Sequence, residues 1–317
     1  MSTPDIQRHH HLTLCVGTAQ QDYDFHTKVL SLKSVKKTLI YDGATPFFHL
    51  YYGNDLGEES TLITSFPVAH FGKKGRRGNG QVDTVSLSVP RSSLGFWAER
   101  LAAFGIRAER RERFGEPLLA FAHPSGIAYE LIGIADDARR PYSNGQVPSE
   151  LAIRGVHTVV VNTPSLEPTQ EFMVDGWSAT EVARDGKHVR FAFGDGGPGR
   201  FVDYRLDGEL ETGTWTYGEG IVHHCAFQVA DHEVQDRVKA RLEGMGYTDT
   251  SERKDRGYFE SIYVRTPSGA MFEATVSKPE GFGIDEPLDR LGSQIQVAPQ
   301  FEHRREEILA SLEPLVY

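Results

Sequence analysis

Cysteine is scarce: Cys15 and Cys225 are the only two in 317 residues. Two thiols cannot staple a framework, so the fold must rest on a buried core, and the chain suits a reducing compartment. No run of about 18 apolar residues occurs and no signal-peptide core opens the chain, which argues against a helical membrane span and makes a cytoplasmic protein the expectation. Positive charge is in deficit, with 34 Lys and Arg against 44 Asp and Glu, a net charge of -10. Nucleic-acid binding needs clustered cations, and the one basic run, "GKKGRRGNG", is short and reads as a solvated loop. What remains is 39% hydrophobic with 32 glycines, a mix that fits a globular protein of strands and turns, long enough for two domains.

Four segments look alike: "HLTLCVG" from His11, "TVSLSVP" from Thr84, "HTVVVNT" from His157 and "HCAFQVA" from His224. Each is a short strand pattern leading into a helix-like stretch. In the second, Leu94, Trp97, Leu101 and Phe104 share a helical stripe; in the fourth, Val234, Val238 and Leu242 do, with glycines closing both helices. Then come "FGEPLLAFAHPSGIAYELIG" and "RGYFESIYVRTPSGAMFEATV", each with Pro-Ser-Gly and a glutamate four residues beyond the glycine, Glu130 and Glu273. The pattern is a βαβββ module used four times. An α+β fold follows, its modules paired into two domains with curved mixed sheets: modules one and two in residues 1–140, modules three and four in residues 151–317. Residues 136–150 are the polar join. The tail containing "EHRREEILASLEPL" reads as an amphipathic helix that caps the last module or makes a homo-oligomer contact.

Side chains alternate along a strand, so a strand-start residue and a last-strand glutamate can both face the concave side of such a sheet. Only module four carries both a histidine and the glutamate, His224 and Glu273; a second histidine must come from His11 or His157. Two imidazoles and a carboxylate form the facial triad suited to non-haem ferrous iron. The bland reading, a satisfied structural histidine, competes at every position. It is weakest for Glu273, a carboxylate among Met271, Phe272 and Ala274 that needs a neutralising partner. Glu130 reads as a relic of the repeat paired with an arginine, Cys225 as core, His9 as a surface residue, and Trp215 and Phe259 as packing or as walls of a ring pocket.

The repeat resembles the vicinal oxygen chelate superfamily. The motifs "HHLTLCVGTAQ", "GIVHHCAF", "RGYFESIYVRTPSGAMFEAT" and "VAPQF" are similar to those of the p-hydroquinone 1,2-dioxygenases, over a span from His9 to about Phe301. The resemblance implies Fe(II) held by His11, His224 and Glu273, with His157 the competitor for the first ligand, and catalytic groups at His10, Thr13, His223, Arg256 and Tyr263. It implies O2 and a small aromatic p-hydroquinone as partners. His10 or His223 would move a proton, Arg256 and Tyr263 would hold oxyanion charge or donate to bound oxygen, and Thr13 would orient a neighbour. A glyoxalase-type lyase or isomerase, or a protein that sequesters an aromatic toxin, is the alternative on the same fold. One tension stands: strict alternation points His10 away from His11 and His223 away from His224, so either a bulge or irregular strand start turns them inward or they form a second layer that connects the metal to solvent.

Overall fold

The protein, described by a computed structural model over residues 4–41, 43–214 and 217–317, repeats strand, helix and three strands four times. Module one comprises β1 (Arg8–Val16), α1 (Ala19–Asp24), β2 (Lys33–Ile40), β3 (Phe47–Gly53) and β4 (Leu62–Pro67). Module two comprises β5 (Gln81–Pro90), α2 (Leu94–Ala103), β6 (Glu109–Arg113), β7 (Glu116–Ala122) and β8 (Ala128–Ile134). Module three has β9 (Gly155–Thr163), α3 (Glu167–Glu171), β10 (Thr180–Asp185), β11 (His188–Ala192) and β12 (Phe201–Leu206). Module four has β13 (Ile221–Gln228), α4 (His232–Gly244), β14 (Lys254–Asp255), β15 (Phe259–Arg265) and β16 (Met271–Ser277).

Local chemistry accounts for these elements. Thr18 and Asp231 cap α1 and α4, their side chains accepting from the backbone N–H of Gln21 and Val234. Leu94, Trp97 and Leu101 bury one face of α2, and Val234, Val238 and Leu242 one face of α4. Phe104, expected on the α2 stripe, sits past the last turn and is exposed. The two Pro-Ser-Gly stretches are the turns of the β7–β8 and β15–β16 hairpins. In each the glycine N–H donates back three residues, Gly126 to His123 and Gly269 to Thr266, at a positive φ that only glycine adopts without strain.

The sheets do not follow the sequential halves. One eight-stranded sheet has the order β14-β15-β16-β13-β1-β4-β3-β2 and joins modules one and four; the other, β10-β11-β12-β9-β5-β8-β7-β6, joins modules two and three. In each, the two first strands pair antiparallel at the centre, β1 with β13 and β5 with β9. The expected pairing of one with two and three with four is therefore corrected. A strand's pattern specifies which face is buried but not which edge covers it. Sequential modules meet instead through their convex faces. Phe25 packs 5.3 Å from Tyr129, while Phe172 and Trp177 pack against Phe272 and Phe227.

The join at 136–150 is irregular, and Arg139 pins it by donating to the backbone oxygens of Ser60 and Val156. The tail does not cap module four alone. After Tyr258 donates to Asp285, the tail crosses to module one, where buried Lys36 pairs with Asp285 and Glu286 and Phe301 packs on Tyr41. It thereby covers β2, an edge strand that would otherwise expose unpaired backbone groups. Among the described residues no helix is long and apolar enough to cross a membrane.

Candidate metal centre

Two β-bulges shape the concave face of the sheet shared by modules one and four. Along the β1–β13 ladder His9 faces Phe227 and His11 faces Ala226, so His10 has no partner; Thr13 faces His224 and Leu14 faces Val222, so His223 has none. Each bulge falls on the first member of a histidine doublet. The extra residue lets consecutive side chains leave the strand on the same side, which resolves the conflict with strict alternation. The third histidine of the opening run behaves differently from expectation. His9 is fully buried between the two sheets, its Nε2–H donating to Phe201 O at 2.7 Å and its ring 4.9 Å from Phe227. The surface reading of His9 is corrected, since the bulge turns it into the core.

His11 Nε2, His224 Nε2 and Glu273 Oε2 converge inside the cup. The imidazole nitrogens lie 3.2 Å apart, and Oε2 lies 3.0 Å from His224 and 3.8 Å from His11. All three residues are buried. Burial alone would raise the Glu273 carboxyl, but the two imidazoles facing it hold it below the usual carboxylate range. Burial likewise drives His11 well below the ordinary imidazole value, with Glu273 opposing it. Glu273 Oε1 accepts from the Thr275 hydroxyl at 3.0 Å, whereas among the described residues no well-directed hydrogen bond reaches the buried Oε2 despite the nearness of His224. Three lone-pair-bearing atoms crowded at one buried point repel unless a cation or a proton is shared among them. The donor set therefore fits a divalent metal, with two nitrogens and one oxygen on one side of it.

The other predicted groups surround these donors. His10 Nδ1 lies 2.9 Å from His11 Nδ1, and His223 Nδ1 lies 2.7 Å from His224 Nδ1, so each donor imidazole is steadied from behind by its neighbour. Thr13 Oγ1 is 2.8 Å from His224 Nε2 and from Thr64 Oγ1. Arg256 Nε donates to the Tyr263 hydroxyl at 2.8 Å, and the Tyr263 ring stands edge-on to His224 at 5.9 Å. Burial pushes the Tyr263 hydroxyl above its ordinary value and lowers His223 to about 3. Phe259 packs on both His10 and His11, at 5.1 and 4.9 Å. Trp215 lies outside the described residues.

Several residues went unnoticed in the sequence. His49 Nε2 meets Thr64 Oγ1 at 3.0 Å and its Nδ1 meets the Tyr51 hydroxyl at 3.0 Å, which extends the line from His224 through Thr13 and Thr64 across the cup. Phe66 and Tyr217 flank His223 at 5.7 and 4.7 Å. The signal for His49 was a polar residue in the apolar strand "FFHLYYG". His49 lies in the third strand of its module, outside the two positions that the repeat singles out.

The second cup holds His157 apart from the cluster of His11, His224 and Glu273. Its ladder has the same bulges, with Asp83 and His157 unpartnered and Ser86 facing Thr158, so His157 matches His223 and Thr158 matches His224. The position in module three equivalent to His224 is thus one residue later than the repeat in sequence suggests. Glu130 and Asp203 occupy the acid positions here, and arginines fill the space. Arg113 binds Glu130 through two bonds of 2.8 and 2.7 Å and Asp203 at 3.1 Å. Arg190 binds Asp203 and Glu116, and His157 Nε2 lies 3.2 Å from Glu116. Glu130 is thus paired with an arginine, as expected. Burial would raise Glu116, but His157 and Arg190 hold it down at about 2, against 4.5 when free. The unfolded chain takes up that proton first as pH falls, so this contribution is complete above pH 4.5 and is lost between about 4.5 and 2. Glu116→Gln should therefore flatten the acid limb of a plot of unfolding midpoint against pH below 4.5.

A second His/Asp group, Asp22, His26 and His123, is also buried and close-set. Its surroundings are more crowded with hydroxyls than those of the first cluster, although Asp22 Oδ1 and His123 Nε2 likewise lack a well-directed hydrogen bond among the described residues. The Ser125 backbone N–H donates to His123 Nδ1 at 3.0 Å, so neutral His123 carries its proton on Nε2, which points at Asp22 Oδ1 at 3.2 Å. Tyr52 and Ser65 hydroxyls donate to the other Asp22 oxygen, and the Tyr129 hydroxyl lies 2.9 Å from His26 Nε2. This is a polar network binding modules one and two together.

A scan of known protein-family profiles found no match. The chain is 45% identical over 321 residues to chlorohydroquinone/hydroquinone 1,2-dioxygenase of Sphingobium indicum, covering 100% of this chain and 99% of the relative. The crystal structure of a proposed dioxygenase from Bacillus subtilis superposes with a TM-score of 0.89 at 30% identity, over 100% of this chain and 99% of that one. Glyoxalase I from Zea mays shares the fold alone, with a TM-score of 0.62 and 14% identity over 84% of this chain and 92% of that one. Near-complete mutual coverage at such identity, on the glyoxalase-type arrangement of repeated modules, places the chain in the family of ring-cleaving dioxygenases that includes the chlorohydroquinone/hydroquinone 1,2-dioxygenase.

Proposed function

We propose that the protein opens p-hydroquinones, either hydroquinone or chlorinated hydroquinones, with O2 in an Fe(II)-dependent ring cleavage that serves aromatic degradation. The observation that carries this reading is the convergence of His11, His224 and Glu273 in one buried cup, in a chain alike from end to end to a relative named for that reaction. Ferrous iron held by these three residues would supply the redox chemistry that lets O2 react with the ring.

The chain's own groups would bind and steer the substrate. His223 Nδ1 accepts from His224 Nδ1–H, so neutral His223 carries its proton on Nε2, from which it would donate to a substrate oxygen as a general acid. Arg256 donates to the Tyr263 oxygen, so the Tyr263 O–H is free to donate in turn to a substrate oxygen. Phe66 and Tyr217 offer apolar faces beside His223, suited to a flat ring and to keeping water off it. His223→Ala strips His224 of its Nδ1 partner and should bind metal roughly 10–100-fold more weakly; at saturating metal, turnover should still fall by roughly 10²–10⁴-fold, the usual worth of a positioned acid or base. Oxygen uptake by the Fe(II)-loaded protein should be fast with hydroquinone and chlorinated hydroquinones and slow with catechol. A strong preference for catechol would defeat the p-hydroquinone assignment, and metal-dependent lyase activity without oxygen uptake would defeat the dioxygenase reading.

A further inference from the structure

We propose that Ser277 and Glu59 are positioning residues for the metal centre, fixing through His10 which nitrogen of His11 carries the proton. The inference rests on the reading that His11 is a metal ligand, and adds to it two residues on other strands and loops.

Bond directions carry the argument. The Ser277 hydroxyl lies 2.7 Å from Glu59 Oε1. An ionised carboxylate only accepts, so the single hydroxyl proton of Ser277 goes to Glu59. The same oxygen is 2.9 Å from His10 Nε2, a contact that then requires His10 to donate from Nε2. A neutral His10, buried against Phe259, is therefore bare at Nδ1. That atom is 2.9 Å from His11 Nδ1, which must be the donor. Neutral His11 is left with a lone pair on Nε2, the atom facing His224 and Glu273. Three hydrogen bonds thus transmit the charge of Glu59 into the tautomer a metal ligand needs.

The far end is built to stay ionised. Glu59 and His10 line a solvent-open cavity of about 190 Å³ with Ser277, Tyr258 and Phe282. The loop bearing Glu59 is tied to the bulge itself, since the Ser60 N–H donates to His10 O at 3.0 Å. The matching doublet has no such anchor: among the described residues no side chain hydrogen-bonds His223 Nε2. The two doublets share a geometry but not a job. His10 spends its Nε2–H on Ser277, while His223 keeps its Nε2–H for a substrate.

The test uses the full chain without substrate. Affinity for Zn(II), and anaerobically for Fe(II), is measured by chelator competition for the parent protein, Ser277→Ala, Ser277→Thr, Glu59→Ala and His11→Ala, with ¹⁵N spectra of the histidine rings in the Zn(II)-loaded forms. Ser277→Ala and Glu59→Ala should bind roughly 10–100-fold more weakly, the usual cost of removing a ligand's hydrogen-bond partner, and the His10 ring should lose its fixed Nε2–H signature. Ser277→Thr, which keeps the hydroxyl, should restore both. Unchanged affinity and unchanged ring signals in Ser277→Ala and Glu59→Ala overturn the inference, even if thermal stability drops. If His11→Ala binds metal as tightly as the parent, the ligand reading itself fails, a result distinct from failure of the relay.

Discussion

Alanine at His11, His224 or Glu273 should empty the centre of metal in a protein that still folds. Structural zinc sites are held with about 10–16 kcal/mol. Losing one of three protein ligands then removes several kcal/mol, on the order of a hundredfold or more in affinity, since about 1.4 kcal/mol is tenfold. Oxygen uptake should vanish with the metal. The variants should melt no lower than the metal-free parent, because truncation relieves the crowding of lone pairs around Glu273 Oε2, which has no well-directed hydrogen bond among the described residues. His157→Ala is the contrasting case. It should keep full metal content yet lose stability, because it strips a partner from Glu116 in the second cup. Metal analysis of the four variants after anaerobic loading decides the matter; if His11→Ala retains iron and His157→Ala does not, the assignment of the first ligand is wrong.

The largest effect on stability should come from Arg113. Its guanidinium bridges Glu130 and Asp203 while almost fully buried. Arg113→Met leaves Glu130 without its bidentate partner and Asp203 with Arg190 alone. Breaking a buried pair from one side costs about 3–5 kcal/mol, because the remaining charge keeps its desolvation penalty. Arg113→Met with Glu130→Gln should recover a large part of that, since removing both charges removes the orphan. Urea unfolding of the single and double variants gives the comparison. A loss below about 1 kcal/mol for Arg113→Met would mean that solvent reaches this cup and screens it.

Much of this was legible in the chain itself. The module, its hairpin turns, and the eight residues from His10 to Glu273 follow from spacing and resemblance, because a repeat exposes its exceptions: a histidine where another copy has threonine marks the copy with chemistry. What was not legible depends on distance. No local pattern says that β1 lies beside β13 rather than β5. The one-residue offset in module three, which made His157 look like a ligand, hides in a bulge that only the facing strand reveals. His9 looked like one more polar residue at a strand start, yet the bulge at His10 sends it into the core. Ser277 and Glu59 carry no signal of their own, since a serine after a strand and a glutamate in a loop are ordinary until a hydrogen bond joins them.

Because modules one and four share a sheet, β1 is synthesised long before the strand that completes its cup. Until module four leaves the ribosome, one edge of β1 is open, and His11 has neither His224 nor Glu273 beside it. With the proposed ligand set, metal capture waits until Glu273 has been made and module four has closed beside module one. Bound metal would then report that this sheet has closed.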